Sequence, residues 1–184
     1  MNKTVLLLSL LAFILLGCDN EKTYRVKAGK HYSSYSITKL KKNVINFRFS
    51  TDSSWVWDSP EKNGWSKVIG VAYNGNHQNS VRVVYMRLQD TLGVLGYYYY
   101  VRGESPQINP LYKGILDTID IGKTYYGTLG YENGFYFVRM GDRHHSLHVG
   151  NPLPSLYEVF LQKLYIGGTY TIDHDWVSTQ KYWY

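Results

Sequence analysis

From residue 44 onward this chain is built of short runs in which apolar and polar residues alternate, most of them bounded by glycine, proline, asparagine or aspartate. Ile45, Phe47 and Phe49 alternate with Asn46, Arg48 and Ser50, the two-residue period of a strand with one buried face. The same reasoning predicts strands over Ser66–Tyr73, Ser80–Leu88 and Gly93–Arg102. Further strands are predicted over Thr124–Gly130, Phe135–Met140, Arg143–Val149, Tyr157–Tyr165 and Tyr170–Ser178. Asn133-Gly134 between two of them is a strong hairpin signal. Asp52–Gly64, Gly103–Pro110 and Asn151–Pro154 read as loops, and no helix of convincing length is predicted. Strands recurring at this spacing predict an all-β fold, an antiparallel β-sandwich.

What fills such a sandwich is unusual. The chain holds 19 tyrosines, 5 tryptophans and 6 phenylalanines, 16% of its residues. Tyrosine favours strands and suits half-buried positions, which accounts for most of them. The same ring can cover the C–H face of a sugar, so some can serve a carbohydrate surface. There is one cysteine, Cys18, and therefore no internal disulfide. Core packing alone must hold the domain together, and the chain is long enough for a single domain to do so.

Cys18 has a different explanation. Lys3 gives a short positive start, and an apolar run from Val5 to Leu16 follows. That run is shorter than the roughly 20 residues needed to span a bilayer, and it has the length of a signal-peptide core. It ends in Leu15-Leu16-Gly17-Cys18, which resembles the lipobox of bacterial lipoproteins. The resemblance implies cleavage before Cys18 and lipidation of its thiol. The expected organisation is a signal peptide over 1–17, an acylated cysteine and short tether over 18–23, and one β-sandwich over 24–184. Asp19 resembles an inner-membrane retention signal in some Gram-negative bacteria, whereas Asp19 and Glu21 together resemble a surface-export signal in others. The expectation is an exported protein, lipid-anchored to the cell envelope, at the outer membrane or cell surface ahead of the inner membrane.

The formal charge is +6, with 20 Lys and Arg against 14 Asp and Glu. A basic balance favours anionic partners such as acidic glycans or lipid headgroups. The charge is scattered, and its densest run, Lys39, Lys41, Lys42, is too short for a nucleic-acid patch. Nucleic acid is not an expected partner. His144, His145 and His148 invite a metal, but on a strand the first and last lie about 13 Å apart and the middle one faces away.

Two stretches carry a family resemblance. Lys123–Asp142, with its alternating strands around a Gly turn and its Gly-Asp ending, is similar to the late hairpin of concanavalin A-like lectin and glucanase jelly rolls. His77-Gln78-Asn79-Ser80-Val81-Arg82, with Tyr165-Ile166-Gly167-Gly168 and His174-Asp175, resembles a family of uncharacterised secreted bacterial lipoproteins with the same jelly-roll core. The likeness covers most of residues 44–178 and implies the fold without implying an activity. Lectin-like jelly rolls often hold a structural calcium, for which Asp52 or Asp173 and Asp175 would be the oxygen donors. No EF-hand spacing is present, and no cofactor is expected. The Glu-x-Asp-x-x-Glu strand of jelly-roll glucanases is absent; Glu104, Glu132 and Glu158 stand alone.

A third likeness is looser. Arg82 and Arg87, then Gln107-Ile108-Asn109, then Tyr165 to Tyr170 follow the order of the alginate-lyase motifs. Asn109 stands where those motifs have histidine, and the last motif is one residue short and lacks lysine. In such lyases Tyr or His removes a proton beside a uronate carboxylate that Arg, Asn or Gln neutralises. The expected function is carbohydrate binding by a lectin-like envelope lipoprotein. The alternatives are a divergent polysaccharide lyase or a structural envelope lipoprotein. The expected ligand residues are His77, Asn79, Arg82, Tyr98, Tyr100, Arg102 and His174. Tyr98, Tyr100 and Arg102 share one face if the strand continues through them, and His174 joins their rim if the last strand pairs nearby.

Overall fold

The computed structural model describes residues 21–33, 37–57, 64–73, 78–88, 92–102, 104, 109–150 and 158–184. Cys18, His77, Gln107, Ile108 and the Asn151–Pro154 loop lie outside them. The described strands are β1 (Lys22–Val26), β2 (Lys39–Leu40), β3 (Val44–Ser50), β4 (Ser66–Tyr73), β5 (Ser80–Leu88) and β6 (Leu92–Tyr100). They continue as β7 (Lys113–Ile119), β8 (Thr124–Glu132), β9 (Phe135–Met140), β10 (Arg143–His148), β11 (Val159–Gln162) and β12 (Trp176–Trp183). They form two six-stranded antiparallel sheets. The front sheet runs β2-β11-β4-β5-β6-β7 and the back sheet β1-β12-β3-β8-β9-β10. This is the sandwich that the alternation predicts. The β8–β9 hairpin turns at Asn133 and Gly134, both with positive φ (51° and 89°), as a two-residue hairpin turn requires.

The two sheets meet through rings. Tyr73 of β4 stacks on Tyr136 of β9 with centroids 5.7 Å apart, and Tyr99 of β6 lies 6.1 Å from the same ring. Trp55 and Trp57, on the loop after β3, wedge against Tyr85 of β5 and Trp176 of β12. Two of the buried polar handles find backbone partners: the Tyr85 hydroxyl donates to the Trp55 carbonyl at 2.6 Å, and the Trp55 indole donates to the Val177 carbonyl at 2.7 Å. With no disulfide among the described residues, burial of these rings together with the Val, Ile and Leu side chains of the core holds the sheets together.

Several expectations are corrected. The last strand is Trp176–Trp183, not Tyr170–Ser178. Residues 170–175 are taken up by a turn in which Asp175 accepts from the Ala28 amide and from Arg25. Beyond it the inward row is Trp176, Ser178 and Gln180, so its polar members hide the alternation. Gln180 is inside for a reason: its amide donates to the Val68 carbonyl at 3.0 Å, where a bulge interrupts the β4–β5 ladder. Strand β11 is shorter than the expected 157–165 run. β7 and the two-residue β2 went unpredicted, and β1 opens at Lys22, inside the stretch expected to be tether. β7 is an edge strand with a register shift opposite Leu95 and Gly96, and only Leu116 and Ile119 are buried in it. Finally, β6 stops at Tyr100, because Arg102 turns the chain with a positive φ of 51°.

Candidate functional site

Strands β5 and β6 are interior neighbours in the front sheet, and their alternation gives each two different faces. Val81, Val83 and Tyr85 of β5, with Leu95 and Tyr99 of β6, point to the back sheet and form its core partner. The intervening residues point to the open face. Cross-strand register sets them in rows: Ser80 opposite Tyr100, Arg82 opposite Tyr98, and Val84 opposite Gly96. On the other flank, Arg82 faces Gly70 of β4, and Gly70 in turn faces Gln162 of β11. Gly70 is needed there. A side chain on it would come within 2.6 Å of the Val81 carbonyl oxygen and 3.1 Å of Arg82 Cγ. Gly96 similarly leaves room for the Trp65 ring, which a Cβ would approach to 2.8 Å.

The β4 bulge brings a second cation to this face. Strict alternation would put Lys67 with Ile69 and Val71, toward the core. The register shift between Lys67 and Ile69 instead sets Lys67 opposite Val84, on the open face. Its main-chain N–H and C=O exchange hydrogen bonds with Tyr165 at 2.8 and 3.0 Å, so Tyr165 extends the same row. The Lys67 ammonium lies 5.4 Å from the centre of the Tyr165 ring, and the Tyr32 ring packs against that ring with centroids 4.9 Å apart.

The electrostatics of this row are those of crowded cations. The Arg82 guanidinium lies 4.3 Å from the Tyr100 ring centre, and its Nε donates to Ser80 Oγ at 3.0 Å. Burial lowers the Arg82 pKa to about 10, opposed by the phenols of Tyr100 and Tyr98, so it stays charged at neutral pH. Burial, then repulsion from Arg82, lowers Lys67 to about 7. None of the ion pairs among the described residues includes Lys67. The Oε1 atom of Gln162, across Gly70 from Arg82, is buried without a hydrogen-bond partner. Burial first, and then Tyr32, raises the Tyr165 phenol, while Arg82 pulls it the other way.

Of the residues expected from sequence, Arg82, Tyr98 and Tyr100 come together on this face. Tyr98 is 8% exposed and belongs to the open side; Tyr99 is fully buried against the back sheet. Asn79 immediately precedes β5, and its side-chain oxygen accepts from the Arg102 amide at 2.9 Å and holds the turn after β6. Arg102, in that turn, does not continue the Tyr98–Tyr100 row. His174 sits elsewhere. Its ring meets the Ser54 carbonyl at 3.1 Å and Asp173 at 2.8 Å, and β12 pairs with β1 and β3 of the back sheet, so the pairing that would bring His174 to this rim is not formed.

The acidic residues singled out in the sequence as calcium donors have local partners. Asp52 caps the turn at Ser54, and Asp175 is engaged by Ala28 and Arg25. Among the described residues no group of three or more His, Cys, Asp or Glu is placed to hold a metal. His145 stacks on Tyr97 at 3.7 Å. Sequence reasoning missed Lys67, Trp65 and Gln162. The one clue to Lys67 was a lysine inside an apolar run, and alternation alone sends it to the wrong face.

No family model and no curated protein matches the chain. Solved structures share its fold. Alginate lyase AlyC3 is 12% identical with a TM-score of 0.59, over 91% of this chain and 76% of its own. A mutant of alginate lyase Aly36B in complex with alginate trisaccharide is 10% identical with a TM-score of 0.58, over 88% and 78%. Alginate lyase A1-II', a member of polysaccharide lyase family 7, is 12% identical with a TM-score of 0.55, over 90% and 80%. The chain spans only 59% of the alginate lyase from Klebsiella pneumoniae and 62% of that from Pseudomonas aeruginosa. At these identities the likeness is one of fold, a concanavalin A-like jelly roll.

Proposed function

We propose that this protein binds an acidic polysaccharide, a chain containing uronates, across the open face of its front sheet. One observation carries the reading: Lys67 and Arg82 are held close enough to repel each other on a half-buried surface, beside the unpartnered Gln162 oxygen. Two like charges in a place of lowered dielectric cost free energy, and an anion lowers that cost. The arginine fork suits a carboxylate, the lysine adds a point charge, and the Gln162 amide can take a sugar hydroxyl. Trp65, Tyr98, Tyr100 and Tyr165 supply ring faces beside them. Structures of the same fold include lyases in complex with alginate trisaccharide and with dimannuronate, which is consistent with an acidic chain on such a sandwich. The test is affinity electrophoresis through gels containing alginate, polygalacturonate or a neutral glucan. Retardation by a polyuronate and not by the glucan is expected; equal mobility in all gels sinks the reading.

A second reading, β-elimination, is favoured by Lys67 itself. With a pKa of about 7 it is partly a neutral amine at neutral pH, beside an arginine able to neutralise a carboxylate. In this hypothesis the Lys67 lone pair takes the proton on C5 of a uronate. The C5–H electrons form a C4=C5 double bond, the C4–O glycosidic bond breaks, and the departing oxygen takes a proton from a phenol such as Tyr165. The unsaturated product absorbs in the near ultraviolet. Lys67→Met should abolish that absorbance while polyuronate is still retained; undiminished absorbance would remove Lys67 from the role.

The lipobox-like ending at Cys18 supports a proposal for location: an acylated lipoprotein of the bacterial envelope, at the outer membrane or cell surface. Among the described residues no helix is long and apolar enough to cross a membrane. Labelling with palmitate should mark the chain and should disappear in Cys18→Ala. Persisting label in that variant contradicts the assignment.

A further inference from the structure

A second basic surface lies away from the open face. Strand β1, the outer strand of the back sheet, borders a groove of about 570 Å³. Lys22, Arg25 and Lys27 line it from the β1 side, and Lys163, just beyond β11, lines it from the other. Among the described residues its lining includes no acidic side chain. Arg25 is engaged with Asp175 at 2.9 Å, and Lys22, Lys27 and Lys163 are the other cations of the lining. Lys163 lies 5.9 Å from the Tyr24 ring centre, and burial, together with the charge of Lys22, depresses its pKa. Lys22 and Lys163 are therefore brought together from two elements far apart in sequence.

The position of the groove indicates what fills it. Lys22 is four residues beyond Cys18, and four residues of fully extended chain reach at most about 14 Å. A cationic groove held that close to a lipid anchor cannot leave the vicinity of the bilayer surface, where anionic headgroups attract lysine within about one Debye length. We propose that this groove seats the phosphates of anionic phospholipids in the membrane that holds Cys18, so that the β1 edge lies on the bilayer. The outer strands at the opposite edges, β7 and β10, then point away from it. The proposal rests on acylation at Cys18 and is independent of what the open face binds.

The full acylated chain, reconstituted in vesicles, tests it. One set is pure phosphatidylcholine and the other contains phosphatidylglycerol. Lysines are modified with an amine-reactive reagent and the peptides are read by mass spectrometry, with the Cys18 peptide reporting acylation in the same spectrum. Lys22, Lys27 and Lys163 should be modified about fivefold less on the anionic vesicles, the factor that one lysine near an anionic surface commands, and high salt should restore them. Lys113, on the far edge strand β7, should be modified alike on both. An acylated Cys18 with equal modification of the groove lysines overturns the groove and leaves the anchor standing. An unmodified Cys18 overturns the anchor, and this proposal with it. Protection by added polyuronate, with none from phosphatidylglycerol, would reassign the groove to glycan and likewise overturn it.

Discussion

Tyr97 and Tyr99 differ from Tyr98 and Tyr100 only by one step along the same strand, yet they live in different chemical worlds. The odd pair faces the back sheet. Tyr99 is fully buried, donates its hydroxyl to the His145 carbonyl at 3.0 Å, and has its pKa pushed far up by burial. Tyr97 lies flat on the His145 ring. The even pair faces outward and flanks Arg82, with Tyr100 under the guanidinium and Tyr98 opposite it in the ladder. A tyrosine is thus core or candidate ligand surface according to its parity, and tyrosine content alone says nothing about binding. What distinguishes the outer face is the pair of cations set among its rings.

Perturbing the two faces should separate stability from binding. The largest effect expected is on the inner face: Tyr99→Ala should destabilise by about 3–5 kcal/mol, the usual cost of deleting a buried aromatic, seen as a lower denaturation midpoint. Equal losses from Tyr99→Ala and Tyr98→Ala would break the contrast. Next, Arg82→Ala should weaken polyuronate binding by about 1.5–3 kcal/mol, the scale of a hydrogen bond to a charged group, measured by calorimetry.

Acidity supplies a third handle. The folded Lys67 pKa of about 7 lies below the ordinary 10.5, so between these values the unfolded chain binds the extra proton. Stability from this group therefore rises as pH climbs from about 7 toward 10.5 and is flat below 7. Denaturant unfolding across that range should show the slope, and Lys67→Met should remove its share. A slope unchanged in that variant would mean that Lys67 is not held in this environment. The smallest effect is on the outer rings: Tyr100→Ala should cost a sugar ligand about 0.5–1.5 kcal/mol, the scale of aromatic contacts, with little change in folding.

Much of this architecture can be read from alternation. The bounds of β4, β5 and β9 coincide with their predicted runs, because in each an apolar row is interrupted only at its ends. The open-face grouping of Arg82, Tyr98 and Tyr100 follows from the same period. Legibility fails where one residue is added or where a polar group goes inside. The bulge at Val68 transfers Lys67 to the open face, and the carbonyl it frees is what draws Gln180 into the core of β12. Gln162 reaches the site because β11 pairs beside β4, a neighbour that no local pattern names. The left-handed turn at Arg102 ends a row that alternation would have carried on.

The central claim is that the open face of the front sheet, through Lys67 and Arg82, takes an acidic polysaccharide. Its most direct test is the retardation of the protein in polyuronate gels, run beside Arg82→Ala and Lys67→Met, with circular dichroism to verify that each variant remains mainly strand. The account predicts that the unmodified protein is slowed by polyuronate and not by neutral glucan, and that Arg82→Ala largely abolishes the slowing. Polyuronate retardation that survives Arg82→Ala and Lys67→Met together, or no retardation of the unmodified protein at all, would contradict it.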